Sequence, residues 1–185
     1  MEASQVRGEL DEILLTEEQI QTRVAELAAE LGTAYQGRTP VLVGVLNGAA
    51  TFTVDLARAY AGQVELTWMA IRSYRTHNPA SGSVRLLKDL DVDITGRDVV
   101  IVDGVVDTGL TMNWLIANLA QRSPASLAVC ALLRKPETPA FSGTATYFGF
   151  DVGSGNIVGY GLDHQGRYRN LRCAATLAPQ TYAVK

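Results

Sequence analysis

Apolar residues recur along the chain in two rhythms: short continuous runs, and longer stretches in which they return every third or fourth position. The runs are Pro40 to Leu46, Val64 to Ile71, Val99-Val100-Ile101-Val102, Ser126 to Leu133 and Tyr147 to Val152. Continuous apolar character predicts strands covered on both faces, the condition of a parallel sheet between layers of helices. The periodic stretches lie between the runs. Thr16-Glu17-Glu18-Gln19 reads as a capping box ahead of Ile20, Val24, Leu27 and Leu31; Ala49 to Tyr60 is a second helical stretch. Met112, Leu115, Ile116 and Leu119 form a third apolar face, ending near Arg122-Ser123-Pro124. Strand and helix alternating across short connections predict an α/β fold with a right-handed, mostly parallel sheet flanked by helices.

Other segments fall outside this alternation. Ile13-Leu14-Leu15 predicts a short strand or lead-in, and Val84-Arg85-Leu86-Leu87 a returning strand. Asp89, Asp91 and Asp93 alternate within 89–97, but without the Gly and terminal Glu of an EF-hand loop they predict a solvated hairpin or connection. Arg75 to Ser83 is too polar to join a core and predicts a mobile loop. Such a loop is either a plain connection or, with Arg72, Ser73, Tyr74 and Arg75 at its hinge, a lid. Gly153-Ser154-Gly155-Asn156 turns the chain into a closing segment through Ile157 to Asp163 and Tyr168 to Leu171.

The most informative junction follows Val99 to Val102, where the buried run passes through Asp103-Gly104-Val105-Val106 into Asp107-Thr108-Gly109-Leu110-Thr111. Backbone N–H groups around Thr108 and Gly109, two threonine hydroxyls and the start of the next helix converge there as anion donors. Gly109 supplies the left-handed turn and the close approach. Asp103 and Asp107 would repel a bare phosphate unless they meet a metal or sugar hydroxyls, so the pattern asks for a phosphorylated sugar with Mg²⁺. Asn47-Gly48, at the end of another buried run, is either a second anion contact or an ordinary turn.

Composition narrows the function classes. At 185 residues, 47% hydrophobic and 19% charged, the chain predicts one well-buried domain. A net charge of −3 with no Lys/Arg block argues against a nucleic-acid surface. No apolar run reaches membrane-spanning length and Met1-Glu2-Ala3 starts no signal peptide, so a cytoplasmic protein is expected. Cys130 and Cys173 stand singly, with only His77 and His164 as co-ligands, which predicts a reducing compartment and no zinc site.

Val-Val-Asp-Thr-Gly-Leu-Thr after a hydrophobic strand resembles the phosphoribosyl pyrophosphate (PRPP) loop of type I phosphoribosyltransferases. Leu46-Asn47-Gly48, Ser73-Tyr74, Leu86-Leu87-Lys88-Asp89-Leu90, Lys135-Pro136 and Val158 to Asp163, in that order, narrow the resemblance to the hypoxanthine (hypoxanthine-guanine) phosphoribosyltransferases, from about Thr16 to about Pro179. It implies a single phosphoribosyltransferase domain over 1–185, with a small hood from N-terminal residues and about 153–179. The flexible loop begun by Ser73-Tyr74 closes on PRPP in this family.

The implied reaction is attack of a 6-oxopurine nitrogen on C1 of PRPP, releasing pyrophosphate and giving a nucleoside 5′-monophosphate. A PRPP- or nucleotide-binding regulatory protein on the same fold is the alternative. By resemblance Asp107 to Thr111 cradle the 5′-phosphate, and Asp107 also takes a proton from the purine. Lys135 donates to the 6-oxo oxygen, and backbone groups near Ile157 and Asp163 meet the base edge. Asn47, Gly48, Ser73, Tyr74 and Arg169 face pyrophosphate, Asp103 reaches the ribose, and Asp103 and Asp163 hold Mg²⁺. Members of the family are commonly dimers or tetramers. The chain departs from its pattern at three places, one of them a residue pair. Asp103-Gly104 stands where Glu-Asp is usual, Asn47 where Lys is common, and Asn156 where an aromatic stacks on the purine.

Overall fold

The computed structural model describes residues 1–6, 8–75, 82–136, 138–141 and 143–182. Along the chain, β1 (Leu10–Leu15) leads through α1 (Glu17–Ala34) to β2 (Val41–Leu46) and α2 (Ala50–Ala59). The ribbon β3 (Glu65–Arg75) and β4 (Gly82–Lys88) follows, then β5 (Asp98–Val106), α3 (Leu110–Ala120), β6 (Ser126–Arg134) and β7 (Ala145–Asp151). The chain closes with β8 (Ile157–Val158), β9 (Ala174–Leu177) and the single turn α4 (Pro179–Tyr182).

The capping box forms as the sequence suggests. Gln19 N–H donates to Thr16 Oγ1 at 3.3 Å, and Thr16 N–H donates back to Gln19 Oε1 at 2.8 Å. Helix α1 therefore starts at a fixed residue and turns Ile20, Val24, Leu27 and Leu31 inward. The main sheet has six strands in the order β4-β3-β2-β5-β6-β7. β2, β3, β5, β6 and β7 run parallel, and β4 is antiparallel at one edge. Alternate residues of the central strands feed two cores. Leu42, Val100, Val102 and Cys130 pack with Ile20, Leu27, Phe52 and Leu56 from α1 and α2, while Val43, Val99, Ile101 and Val129 pack with Met112, Leu115 and Leu119 of α3. The continuous apolar runs are continuous because both faces are buried.

Two local outcomes differ from expectation. Arg75 and Gly82, expected in the loop, are paired strand residues, and Ser83 pairs with Tyr74. Backbone ladder bonds hold this polar ribbon, which composition does not register. The remainder of the expected loop, 76–81 with His77, lies outside the described residues. Second, among the described residues no helix lies between the parallel strands β6 and β7. Buried Phe141 instead packs on the core that α3 covers. The strand expected at Ile13 to Leu15 forms, and it lies in a separate three-stranded sheet, β1-β9-β8, in which Ile13 pairs with Ala175 and Leu15 with Ala174. No helix among the described residues is long and apolar enough to cross a membrane.

Candidate active site

The ends of the parallel strands converge on a cavity of about 200 Å³ lined by Ser73, Asp103, the segment 105–112 and Lys135. Its floor is the turn from β5 into α3. Gly109, the residue capping α3, has φ 75° and ψ −5°, and the cap has no side-chain hydrogen bond. The first-turn N–H groups of α3 thus remain available to a ligand, at the positive end of the helix dipole. Pro139 presses on Gly109: a Cβ there would lie 2.6 Å from Pro139 Cδ, so the β6–β7 crossover clamps the turn from outside.

Lys135 comes in from the neighbouring strand end. Its N–H donates to Val106 O at 3.0 Å, which fixes the end of β6 beside the end of β5. From there Lys135 Nζ reaches to 3.6 Å from Asp107 Oδ2, with both side chains largely shielded. Thr138 adds a contact that sequence reasoning missed: its hydroxyl lies 2.9 Å from Val106 O and 2.8 Å from Asp107 O. A lone threonine in a polar stretch carries no signal that it will bind the backbone of the turn from β5 into α3.

Asp103 lies within β5 with its carboxylate at the cavity, where Oδ1 accepts from Gly104 N–H at 2.7 Å. Burial between sheet and turn pushes its carboxyl up to about 7, against the opposing hydrogen bonds from the Gly104 and Val105 backbone. The residue keeps some access to the cavity, and desolvation by the atoms packed around it outweighs the two backbone hydrogen bonds.

A second group of residues meets beside this cavity. A Cβ on Gly104 would fall 2.9 Å from Gly48 O and 3.0 Å from Leu162 Cδ2, and a Cβ on Gly161 would fall 2.5 Å from Gly48 O. Three glycines thus let the β2–α2 loop, β5 and the closing segment touch through bare backbone. The Leu46–Asn47 peptide is cis at this loop, and the Asn47 side chain is exposed. On the far side of Gly161, Arg169 Nη1 donates to Gly161 O at 2.7 Å and Nη2 pairs with Asp163 Oδ1 at 2.7 Å. Asp163 Oδ2 accepts from Gly166 N–H at 2.7 Å.

Of the expected site residues, Ser73, Asp103, Asp107 to Thr111 and Lys135 surround one cavity, and Gly48, Asp163 and Arg169 are joined to it through Gly104, Gly161 and Leu162. Asn156 and Ile157 do not line that cavity; they sit at the start of β8, with Asn156 O accepting from Leu177 N–H at 3.0 Å. The Tyr74 side chain lies outside the described residues.

Among the described residues no three His, Cys, Asp or Glu side chains form a ready metal cage. Mg²⁺ typically takes one or two carboxylates and completes its shell with water and substrate oxygens, and the cavity-facing Asp103 fits that donor set. Asp163 would have to share oxygens already engaged by Arg169 and Gly166.

The chain matches the model of the phosphoribosyl transferase domain over residues 12–165. It is 48% identical over 181 residues to the hypoxanthine-guanine phosphoribosyltransferase of Mycobacterium avium, covering 95% of this chain and 89% of the mycobacterial one. To the Bacillus subtilis protein of the same name it is 37% identical over 177 residues, covering 96% and 98% of the two chains. The crystal structure of a Staphylococcus aureus hypoxanthine phosphoribosyltransferase superposes with a TM-score of 0.90 at 37% identity, over 97% of this chain and 98% of the other.

Proposed function

Because the chain belongs to the phosphoribosyl transferase family, and within it to the hypoxanthine-guanine phosphoribosyltransferases, we propose that its cavity carries phosphoribosyl transfer from PRPP to a 6-oxopurine for purine salvage. The observation that carries this reading is the approach of Lys135 to Asp107 above the open first turn of α3. That arrangement offers a phosphate seat, a proton acceptor and a donor for a carbonyl oxygen within one cavity.

In the proposed mechanism the 5′-phosphate rests on the N–H groups and hydroxyls of Thr108 to Thr111, while Asp103 accepts from a ribose hydroxyl. The purine enters between Asp107 and Lys135 and parts their ion pair. Lys135 donates to the 6-oxo oxygen and Asp107 takes the imidazole proton as a ring nitrogen bonds to C1 and the C1–O bond to pyrophosphate breaks. Arg169, Ser73, Tyr74 and the Asn47-Gly48 loop receive the departing pyrophosphate, with the guanidinium as its planar partner. Backbone groups at Ile157 and Asp163 meet the base edge, and the small sheet forms a hood over it. Mg²⁺, which Asp103 and Asp163 would hold together with substrate oxygens, supplies charge neutralisation for the leaving group when bound. The same reading expects a cytoplasmic homo-oligomer, dimer or tetramer, whose partners are small molecules.

The test is direct. With hypoxanthine, PRPP and Mg²⁺ the protein should form nucleoside 5′-monophosphate, followed by absorbance. No nucleotide at high protein concentration, together with thermal stabilisation by PRPP, would replace catalysis with a sensing role.

A further inference from the structure

Gly159, Tyr160 and Gly161, which lead into Asp163, adopt φ values of 96°, 48° and 97°. The two glycines are there for space: a Cβ on Gly159 would lie 2.0 Å from Cys173 O, and one on Gly161 2.5 Å from Gly48 O. Tyr160 has no such excuse. An aromatic residue in the left-handed region is strained and persists only where its surroundings over-determine it.

Those surroundings are specific. The Tyr160 side chain is buried, its N–H donates to Leu171 O at 2.9 Å, and its phenol donates to Asp55 Oδ2 at 2.6 Å. The same carboxylate oxygen accepts from Gln21 Nε2 at 3.0 Å. Burial and the neighbouring carboxylate raise the phenol above its ordinary range, so it remains a donor at every working pH. Gln21 lies on α1 and Asp55 on α2, so the phenol ties the closing segment to both helices. One residue further on, Gly161 O accepts from Arg169 Nη1, whose other nitrogen holds Asp163. A continuous path of hydrogen bonds and the backbone from Tyr160 to the Gly161 carbonyl runs from Asp55 to the Arg169 guanidinium.

We propose that Asp55 and Tyr160 are positioning residues for pyrophosphate: without touching substrate, they hold the Gly161 carbonyl where it aims Arg169. The proposal rests on the assignment of Arg169 to pyrophosphate above. The link from α2 to the closing segment needs its hydroxyl and carboxylate oxygen in place: a Phe at 160 fills the same volume and keeps the backbone bond to Leu171 but leaves the left-handed turn without its side-chain anchor.

The experiment compares wild type with Tyr160→Phe, Asp55→Ala and Asp55→Asn by steady-state kinetics, thermal melting and calorimetric titration with pyrophosphate and Mg²⁺. Loss of the bond between the Tyr160 phenol and the Asp55 carboxylate should raise the KM for PRPP and the Kd for pyrophosphate about fivefold to tenfold in Tyr160→Phe and Asp55→Ala. The KM for hypoxanthine should stay within about twofold. Asp55→Asn keeps an oxygen that accepts from both Tyr160 and Gln21, and should recover most of the loss. A lower yield or melting temperature with unchanged PRPP and pyrophosphate constants would overturn the proposal, as would Asp55→Asn behaving like Asp55→Ala. Should wild type form no nucleotide, the catalytic reading fails by itself. The pyrophosphate titration still decides the positioning role, and wild type that binds no pyrophosphate would end it.

Discussion

Lys135 Nζ stands 3.6 Å from Asp107 Oδ2, an ion pair made across the cavity by the ends of two neighbouring parallel strands. The separation exceeds a good charge-assisted hydrogen bond, so opening the pair to admit a base forfeits little. Each partner then has a separate proposed task, one toward the purine ring proton and one toward its oxo group.

Asp107→Ala should therefore lower kcat by about 10²-fold to 10⁴-fold, the usual worth of a positioned proton acceptor. The KM for PRPP should change far less, because the proposed phosphate seat is made of backbone N–H groups and threonine hydroxyls. Initial-rate kinetics with PRPP and hypoxanthine varied independently separates the two. Equal losses in turnover and in PRPP binding would contradict the assignment as base.

Gly104 looks, in the sequence, like a missing acid. In the structure it is a contact point, with Gly48 O 2.9 Å and Leu162 Cδ2 3.0 Å from where its Cβ would be. Leu162 is the end of a side chain and can yield; Gly48 O is backbone in the loop proposed to meet pyrophosphate. Gly104→Asp is thus expected to cost about 1–3 kcal/mol through overpacking, with no improvement in the KM for PRPP. Thermal melting and PRPP kinetics on the one variant decide it: an unchanged melting temperature with tighter PRPP binding would mean the acid had simply been absent.

These contacts mark how far the sequence could be read. The runs at Val41 to Leu46 and Val99 to Val102 announced buried parallel strands, and Thr16 with Gln19 announced the start of α1, because burial and capping leave local traces. The turn from β5 into α3 was legible for the same reason, since Asp107 to Thr111 are contiguous. The pairing of Ile13 with Ala175 was not, nor was the contact of Gly104 with Gly48 or the bond from Tyr160 to Asp55. Each joins residues far apart in the chain whose identities say nothing of one another. The ribbon at Arg75 and Gly82 was hidden differently: its ladder uses backbone groups that every residue owns.

Asp103 sets a pH dependence of stability whose sign follows from its raised carboxyl, about 7 in the fold against an ordinary 3.8. Below the ordinary value the group is protonated in both folded and unfolded chains and costs nothing. As pH rises toward 7 the unfolded chain ionises while the buried group resists, so folding stability falls across that window and levels off above it. Relative to wild type, Asp103→Asn should gain stability between about pH 4 and pH 7, by on the order of a few kcal/mol, less where cavity water screens the charge. Denaturant unfolding in chelator-treated buffer measures it. Parallel stability curves for the two proteins would show that the carboxylate is not desolvated.

The family resemblance read from the sequence implies a stacking aromatic at position 156, where this chain has Asn156; its side chain is exposed while its carbonyl is held by Leu177 N–H at 3.0 Å. The backbone is thus fixed by β9 and the side chain is free to change without disturbing the small sheet. Base–aromatic stacking contributes roughly 1–3 kcal/mol, and even the lower figure corresponds to about a fivefold change in affinity. Asn156→Phe should accordingly lower the KM for hypoxanthine by about fivefold or more, with the KM for PRPP and the melting temperature unaltered. If purine affinity does not move, the side chain at 156 lies outside stacking range of the bound base, and the proposed recognition falls to Lys135 and the backbone at Ile157 and Asp163.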